Sequence, residues 1–303
     1  MNEISKDLHG WLLIDKPIGI GSTNVVSIVK RIFGLRKIGH GGTLDPDATG
    51  VLALALGEAT KTVQVFGKSL KTYRFILRLG TATDTDDSSG NIINESLIRP
   101  ETEAIKKTIG KLTGYIFQVP PKLSALKIKG KRAYTLFHEG SDYELSPRQI
   151  YIKKINILKR KNIDEVAMEF TCGKGGYVRS LARDIGDLLG CYGHAHEIRR
   201  IESGPFSIDD SIPLEELKSM TCHELKRKIM PIQSVLKEIP YYQCKAKDME
   251  MILNGRACKV SENSETNLDL AWMKFRNTPL AFGKVKHQTF FPTRVFNILK
   301  GNL

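Results

Sequence analysis

The segment from Lys37 to Lys61, with the sequence KIGHGGTLDPDATGVLALALGEATK, restricts the fold more than any other part of the chain. Four of its glycines, Gly39, Gly41, Gly42 and Gly50, precede the apolar run, and a fifth, Gly57, follows it. Glycine allows positive φ angles and close approach of a ligand to the backbone, whereas Pro46 has a fixed φ and favours an extended Asp45. The apolar run 51–56 follows directly and is typical of a buried strand. The segment therefore predicts a stiff turn that holds one carboxylate at the edge of a buried strand.

Asp45 in this turn has two interpretations. A carboxylate on a rigid turn suits covalent or acid–base chemistry. Asp-Pro and Gly-Gly pairs are also ordinary turn chemistry, in which the aspartate would only cap a neighbouring backbone group. The local residues leave both interpretations open.

The charge balance favours a polyanionic partner. The chain has 46 Lys and Arg residues against 33 Asp and Glu residues, a net charge of +13. Such an excess raises the local concentration and association rate of polyanions. Nucleic acid is the first candidate and an anionic membrane surface the second; a merely basic surface is the alternative. With 303 residues and 41% hydrophobic content, the chain has the size and composition of a large globular domain plus a smaller one.

The cysteines favour a reducing compartment. There are five of them, widely spaced and without a CxxC pair: Cys172, Cys191, Cys222, Cys244 and Cys258. This pattern argues against a disulfide framework and against a four-cysteine zinc site. The N-terminus has no signal-peptide pattern and no run is apolar enough to span a bilayer. We therefore expect a cytoplasmic protein that does not associate with membranes.

Hydrophobic periodicity predicts an α+β fold with a mostly antiparallel sheet. Predicted strands are 10–16, 72–79, 150–158 and 165–172, with a β-rich tail from about 240. Predicted helices are 25–33, capped by Ser22 or Asn24 and ended by Gly34, together with 60–70, 101–113 and 178–189. Because no GxGxxG or Walker motif is present, a nucleotide-cofactor enzyme is not expected.

Further motifs occur in a fixed order around the glycine-rich turn. They are DKP at 15–17, KTY at 71–73, LGTATDTD at 79–86, PPKLSALK at 120–127, GKRAY at 130–134, CGKGGYVRSLARD at 172–184 and GHAHEIRR at 193–200. With GHGGTLDPDATGVL and GEATK, this series resembles the TruB-type tRNA pseudouridine synthases of bacteria. The resemblance covers about residues 10 to 210.

The resemblance implies an isomerase that converts uridine 55 in the T-arm of transfer RNA to pseudouridine without a guide RNA. The stacked base must be flipped out of the loop to be reached. Asp45 matches the catalytic aspartate, the nucleophile that lets the uracil detach, rotate and rejoin the ribose through carbon. Arg179 matches the arginine that pairs with this aspartate. No metal or organic cofactor is implied, and we expect a monomer.

Other positions acquire roles from the same resemblance. Tyr73 matches the ring that stacks on the target base and assists the final proton transfer. Tyr177 and Ile198 match residues that line the uracil pocket. Lys16 matches a supporting lysine at the edge of the site, and His40 a histidine that takes part in opening the RNA loop. The alternative for the two tyrosines is core aromatic packing.

The segment from about 120 to 148 is predicted to be an RNA-gripping insertion. Its cations, interleaved with aromatic residues, would neutralise phosphates: Lys127, Lys129, Lys131 and Arg132. The alternative is a solvated basic loop. The resemblance further implies a catalytic domain over 1–238, whose mixed, mostly antiparallel pseudouridine-synthase sheet is flanked by helices. It also implies a small, β-rich, PUA-like RNA-binding domain, of full or shortened form, over 239–303.

Two alternative functions are carried forward. One is a tRNA-binding and folding factor whose catalysis is weak or lost; the other is a guide-dependent synthase.

Three positions depart from the family pattern, namely Gly41, Asp47 and Gly176, and Gly41 predicts added flexibility in the loop. Two groups have spacings that suggest metal ligands, although no metal role is expected for either: Asp84, Asp86 and Asp87, and Cys191, His194 and His196.

Overall fold

The computed structural model describes residues 8–128, 130–260 and 267–298. Its first strands are β1 (Gly10–Lys16), β2 (Ile38–His40), β3 (Thr49–Leu56), β4 (Lys71–Leu79), β5 (Thr81–Thr83), β6 (Ile92–Glu95), β7 (Gly114–Gln118), β8 (Lys127–Ile128), β9 (Lys131–Arg132) and β10 (Arg148–Arg160). They are followed by β11 (Glu165–Cys172), β12 (Gly193–Ser203), β13 (Phe206–Ser207), β14 (Ile212–Pro213), β15 (Tyr241–Gln243), β16 (Cys258–Lys259), β17 (Asn267–Phe275), β18 (Thr278–Lys286) and β19 (Thr289–Val295). The α-helices are α1 (Ser22–Phe33), α2 (Val63–Phe66), α3 (Thr102–Gly110), α4 (Ala133–His138), α5 (Val178–Leu188), α6 (Cys222–Lys228) and α7 (Met249–Leu253). No helix in the described ranges is long and apolar enough to cross a membrane.

A large sheet in the order β14-β1-β3-β12-β4-β11-β10-β7 organises the chain. All neighbours on this path are antiparallel except β1 with β14 and β12 with β3. The predicted α+β class with a mixed, mostly antiparallel sheet is therefore confirmed. The register aligns Lys16 with Gly50, Gly50 with Arg200 and Arg200 with Tyr73. One row across four neighbouring strands thus brings together residues that are far apart in sequence.

Gly50 makes the parallel contact in this row possible. Its φ is +100°, and a Cβ there would lie 2.1 Å from the carbonyl oxygen of Arg200. A side chain at this position would therefore push β12 away from β3.

Helices cover the sheet from its apolar faces. Val25, Val29 and Phe33 recur at every fourth position of α1 and pack on β1 and β3. Helices α3 and α5 pack on the part of the sheet formed by β4, β10 and β11. Gly34 ends α1 in the left-handed region, as predicted, with a φ of 60°. The predicted cap is wrong, because the N-cap is Gly21 and no side chain caps the helix.

The other predicted elements agree with the structure apart from one. Strands β1, β4, β10 and β11 and helices α3 and α5 occupy the expected segments. The segment 60–70 holds a 3-10 turn, Gly57–Thr62, and the four-residue α2 instead of a continuous helix.

A second, five-stranded sheet forms the C-terminal part in the order β15-β17-β18-β19-β16. Trp272 and Phe282 of this sheet, with Phe296 beyond it, share one apolar cluster with Trp11 and Leu13 of β1. Since α1 packs on the alternate residues of β1, the small sheet covers the face that α1 leaves open. The β-rich tail predicted from about 240 is confirmed.

Candidate active site

The glycine-rich turn is held in place by three buried polar side chains. Ser22 Oγ donates to the carbonyl of Leu44 at 2.9 Å and accepts from its N–H at 2.8 Å. Lys16 Nζ donates to Pro46 O at 3.0 Å, and also to Pro17 O and Ile20 O. The turn residues on both sides of Asp45 are therefore fixed.

Arg200 supports the same turn from the other side. Its guanidinium is buried and donates to three backbone carbonyls: Val51 O at 2.7 Å, Gly42 O at 3.1 Å and Thr43 O at 3.5 Å. In the sequence, Arg200 ends the GHAHEIRR motif and Ser22 is a candidate helix cap, and neither is predicted to belong to the site. Their positions in the sequence do not reveal these contacts, because the backbone carbonyls that they bind are distant in sequence and come close only in the folded chain.

Asp45 forms an ion pair with Arg179 from the start of α5. Arg179 Nη2 lies 2.7 Å from Asp45 Oδ2, and the arginine side chain is 3% exposed against 45% for the aspartate. The carboxylate is thus open to the cavity while its counter-ion is buried behind it. Arg179 also donates to Leu123 O at 2.8 Å and Thr85 O at 3.1 Å.

A cavity of about 310 Å³ lies beside this ion pair. Tyr73, Tyr177 and Ile198 line it together with Asp45 and Arg179. The Tyr73 ring stacks on Phe170 with centroids 6.3 Å apart. The structure thus brings five of the predicted site residues around one space. Its volume lies at the lower end of the range of ligand pockets.

Burial changes the proton affinity of several groups around the cavity. It raises the pKa of Tyr73 and of Tyr177, and Arg200 partly offsets this for Tyr73. It lowers the pKa of Lys16 to about 8, although Asp45 and Asp47 act in the opposite direction. Lys71, which also lines the cavity, has its pKa lowered to about 8 by burial, with Arg200 adding to the effect. Both tyrosines are therefore neutral at neutral pH.

His40 lies at the end of β2, half buried, outside the set of described residues that line this cavity. Burial lowers the pKa of its imidazole, with Arg200 contributing, so the ring is neutral at neutral pH. Lys16 is fully buried under the turn, where its ammonium group contacts Pro46 O beside Asp45.

Three of the four predicted RNA-contacting cations lie on a short hairpin of β8 and β9. Lys127, Lys131 and Arg132 are all exposed. Lys131 pairs with Glu139 at 3.1 Å, and Arg132 donates to Ala125 O at 2.6 Å. Lys129 lies outside the described residues.

The three departures from the family pattern have different surroundings. Gly41 is buried, donates to Ala53 O at 2.9 Å and leaves no room for a Cβ, which would lie 2.1 Å from Phe66 Cε1. Gly41 therefore fits a closely packed position against Phe66. Its predicted effect on loop flexibility remains a prediction. A Cβ at Gly176 would lie 2.7 Å from Cys172 Sγ. Asp47 is exposed.

Two of the clustered aspartates, Asp86 and Asp87, form ion pairs with arginines of α5. Arg183 Nη1 lies 2.7 Å from Asp86 Oδ2, and Arg179 Nε lies 3.5 Å from Asp87 Oδ2. Arg183 also donates to Val119 O at 2.7 Å, which ties the base of the insertion to α5. Burial raises the pKa of Asp86 to about 6 against the opposing effect of Arg183. Among the described residues, no group of three or more His, Cys, Asp or Glu side chains is arranged to hold a metal ion.

Comparisons with known proteins identify the family of the chain. Residues 30–178 match the profile of the TruB family pseudouridylate synthase N-terminal domain. Residues 179–237 match that of the tRNA pseudouridylate synthase B C-terminal domain. The chain is 46% identical to tRNA pseudouridine synthase B of Ruegeria pomeroyi, covering 96% of each chain. It is 39% identical to the Bradyrhizobium diazoefficiens protein of the same name, covering 97% of this chain and 87% of the other.

The fold also resembles solved structures. Cbf5 in a Cbf5-Nop10-Gar1 complex superimposes with a TM-score of 0.73 at 25% identity, covering 97% of this chain and 85% of that one. The corresponding protein of the archaeal box H/ACA sRNP Nop10-Cbf5 complex gives a TM-score of 0.72 at 23% identity, covering 97% and 88%. The chain belongs to the TruB family of pseudouridylate synthases and is an isomerase that forms pseudouridine in transfer RNA.

Proposed function

We propose that this cytoplasmic enzyme acts as a monomer on uridine 55 in the T-arm of transfer RNA, without a guide RNA. One observation carries the proposal: Arg179 holds Asp45 at 2.7 Å, and the rest of the carboxylate faces a cavity with two tyrosines. This arrangement supports a carboxylate nucleophile next to stacking surfaces for one base.

Asp45 is the proposed nucleophile. Its carboxylate forms a transient bond to the target nucleotide, and the bond between uracil N1 and ribose C1′ breaks. The uracil turns within the cavity, and C5 forms the new bond to C1′. The transient bond to Asp45 breaks and the free carboxylate is restored. C5 loses its proton while N1 ends with one, so that no atom is gained or lost overall. Covalent catalysis of this kind divides one difficult step into easier ones.

Arg179 orients the nucleophile through their ion pair at 2.7 Å. Ser22, Lys16 and Arg200 fix the backbone of the turn, so the carboxylate does not need to be ordered when RNA binds.

Tyr73, Tyr177 and Ile198 form the proposed uracil site. Because burial raises its pKa, Tyr73 enters the reaction as a neutral phenol that stacks on the base. We propose that its hydroxyl, next to Arg200, assists the final proton transfer. His40, with a neutral ring, is proposed to occupy the space that the flipped bases leave.

The insertion over about 120–148 is the proposed RNA grip, through Lys127, Lys129, Lys131 and Arg132. We assign 1–238 to the catalytic domain and 239–303 to a small PUA-like domain that also contacts RNA. Long-range attraction between the +13 chain and phosphates would steer the encounter.

The decisive experiment is incubation of the pure protein with an unmodified transfer-RNA transcript, followed by chemical mapping of pseudouridine. Product at position 55 without added RNA is expected. Tight binding without product would favour a binding and folding factor. Product that requires an added guide RNA would favour a guide-dependent synthase. Product at another uridine would contradict the assigned position.

A further inference from the structure

Ser124 is a fixed residue at the base of the insertion. It lines the same cavity as Asp45 and is only 4% exposed. Its N–H donates to Lys122 O at 2.9 Å, and its carbonyl accepts from the N–H of Tyr134 at 2.9 Å. With both backbone groups paired, the direction of its side chain is set by the fold.

The Ser124 hydroxyl is buried without a hydrogen-bond partner among the described residues. Other buried serines around the site are paired: Ser22 with the backbone of Leu44, and Ser180 Oγ with Val119 O at 2.8 Å. An unpaired buried hydroxyl costs free energy. Such a group beside a binding cavity indicates a partner that arrives with the ligand.

The position of Ser124 points to the reacting nucleotide. The carbonyl of the preceding residue, Leu123, accepts from Arg179 Nη2 at 2.8 Å. The same nitrogen donates to Asp45 Oδ2 at 2.7 Å. Ser124 is therefore one residue from the group that holds the nucleophile, and a nucleotide placed for attack by Asp45 lies within its cavity.

We propose that Ser124 Oγ forms a hydrogen bond with a polar group of the flipped uridine and so helps to select and orient it. The proposal rests on the proposed function, because it requires the target uridine to occupy this cavity. It makes Ser124 a substrate-contacting residue in addition to those that the sequence motifs singled out.

The first test compares Ser124→Ala with Ser180→Ala. Ser124→Ala is expected to lower kcat/KM by about 3- to 10-fold, the loss of one uncharged hydrogen bond. Its thermal midpoint should stay the same or rise, because an unpaired buried hydroxyl is removed. Ser180→Ala should instead lower the midpoint, because it removes one of the two hydrogen bonds that Val119 O accepts, leaving only that from Arg183. An unchanged kcat/KM for Ser124→Ala, or a loss matched by lower stability, would overturn the proposal.

The second test identifies the partner group. The affinity of a T-arm stem-loop is measured for Asp45→Asn and for Asp45→Asn with Ser124→Ala. The target position carries uridine, 2′-deoxyuridine, 2-thiouridine, 4-thiouridine or 3-methyluridine. The effect of Ser124→Ala should shrink on the one analogue that lacks its partner. An effect of equal size on all five RNAs would overturn direct contact.

A control separates this inference from the proposed function. Asp45→Asn alone is assayed for pseudouridine at position 55 in the same preparation. If Asp45→Asn is inactive while Ser124→Ala is fully active, the proposed function stands and the Ser124 contact fails. If Asp45→Asn remains active, the proposed site itself fails.

Discussion

At the residue scale, the site depends on one carboxylate whose surroundings are already fixed. Asp45→Asn keeps the shape of the side chain and removes the charge that is proposed to attack the nucleotide. We expect turnover to fall by at least about a thousand-fold, while affinity for transfer RNA stays within a few-fold. Pseudouridine mapping and a binding titration measure the two quantities separately.

Asp47→Asn is the matched control, because Asp47 lies in the same turn, carries the same charge and is exposed. It should retain turnover close to that of the wild type. Appreciable turnover by Asp45→Asn, or equal losses in the two variants, would contradict the assignment of Asp45 as nucleophile.

Gly41 gives a second prediction at this scale. A Cβ at this buried position would overlap the Phe66 ring, so Gly41→Ala should reduce the free energy of unfolding by about 1 to 3 kcal/mol. Phe66→Leu in the same chain should recover part of that loss, because the smaller side chain makes room. Urea unfolding of the single and double variants measures the coupling.

Gly39→Ala is the control for this cycle. Nothing lies within 4 Å of the position that its Cβ would take, so it should cost little. A Gly41→Ala variant as stable as Gly39→Ala would show that the packing against Phe66 is not restrictive.

At the element scale, the β8–β9 hairpin carries the proposed phosphate contacts. Each lost phosphate contact reduces the slope of log affinity against log salt by roughly one unit. Lys127→Ala with Lys131→Ala should therefore flatten the slope by about one to two units and weaken binding at low salt. The range reflects the pairing of Lys131 with Glu139, which competes with a phosphate for the ammonium group.

The control replaces Lys106 and Lys107, which are exposed on α3, by alanine. This pair removes the same charge from a different element. Equal slopes for the two double variants would indicate that only net charge matters and that the hairpin faces solvent in the complex.

Sequence reasoning at the element scale succeeded where the signal was local. The alternation of Tyr73, Phe75 and Leu77 predicts β4, and the glycine at 34 predicts the end of α1. The prediction that Ser22 caps α1 is wrong. Cap preferences describe contacts between neighbouring residues, whereas the Ser22 hydroxyl bonds to the backbone of Leu44, 22 positions away. Local spacing also gives no sign that Asp45 and Arg179, 134 positions apart, form a pair. Only the family resemblance connected them.

At the scale of the whole molecule, the row Lys16–Gly50–Arg200–Tyr73 places buried cations under the active site. Lys16, Arg200 and the neighbouring Lys71 are all buried. The first two donate to carbonyls of the catalytic turn and its strand. Burial removes these cations from water, which is unfavourable for their charged forms. The free energy of unfolding therefore depends on pH wherever a lysine has a different pKa in the folded and unfolded chain.

The two buried lysines determine the direction of this dependence between pH 8 and 9. Lys16 and Lys71 have pKa values lowered to about 8, from 10.5. In this window the folded chain loses protons that the unfolded chain retains. Because stability rises with pH wherever the unfolded state binds more protons, the free energy of unfolding should increase, by on the order of 1 kcal/mol.

Above pH 9 the buried thiols reverse the trend. Burial raises the pKa of Cys172 to about 12 and those of Cys244 and Cys258 to about 11, from 9.0. The unfolded chain then loses thiol protons that the folded chain keeps, so stability falls. Urea unfolding under reducing conditions should show a maximum near pH 9. Lys71→Met, which keeps the length of the side chain but cannot titrate, should flatten the rise from pH 8 to 9. A wild-type stability that falls steadily across that interval would mean that both lysines keep their protons in the fold.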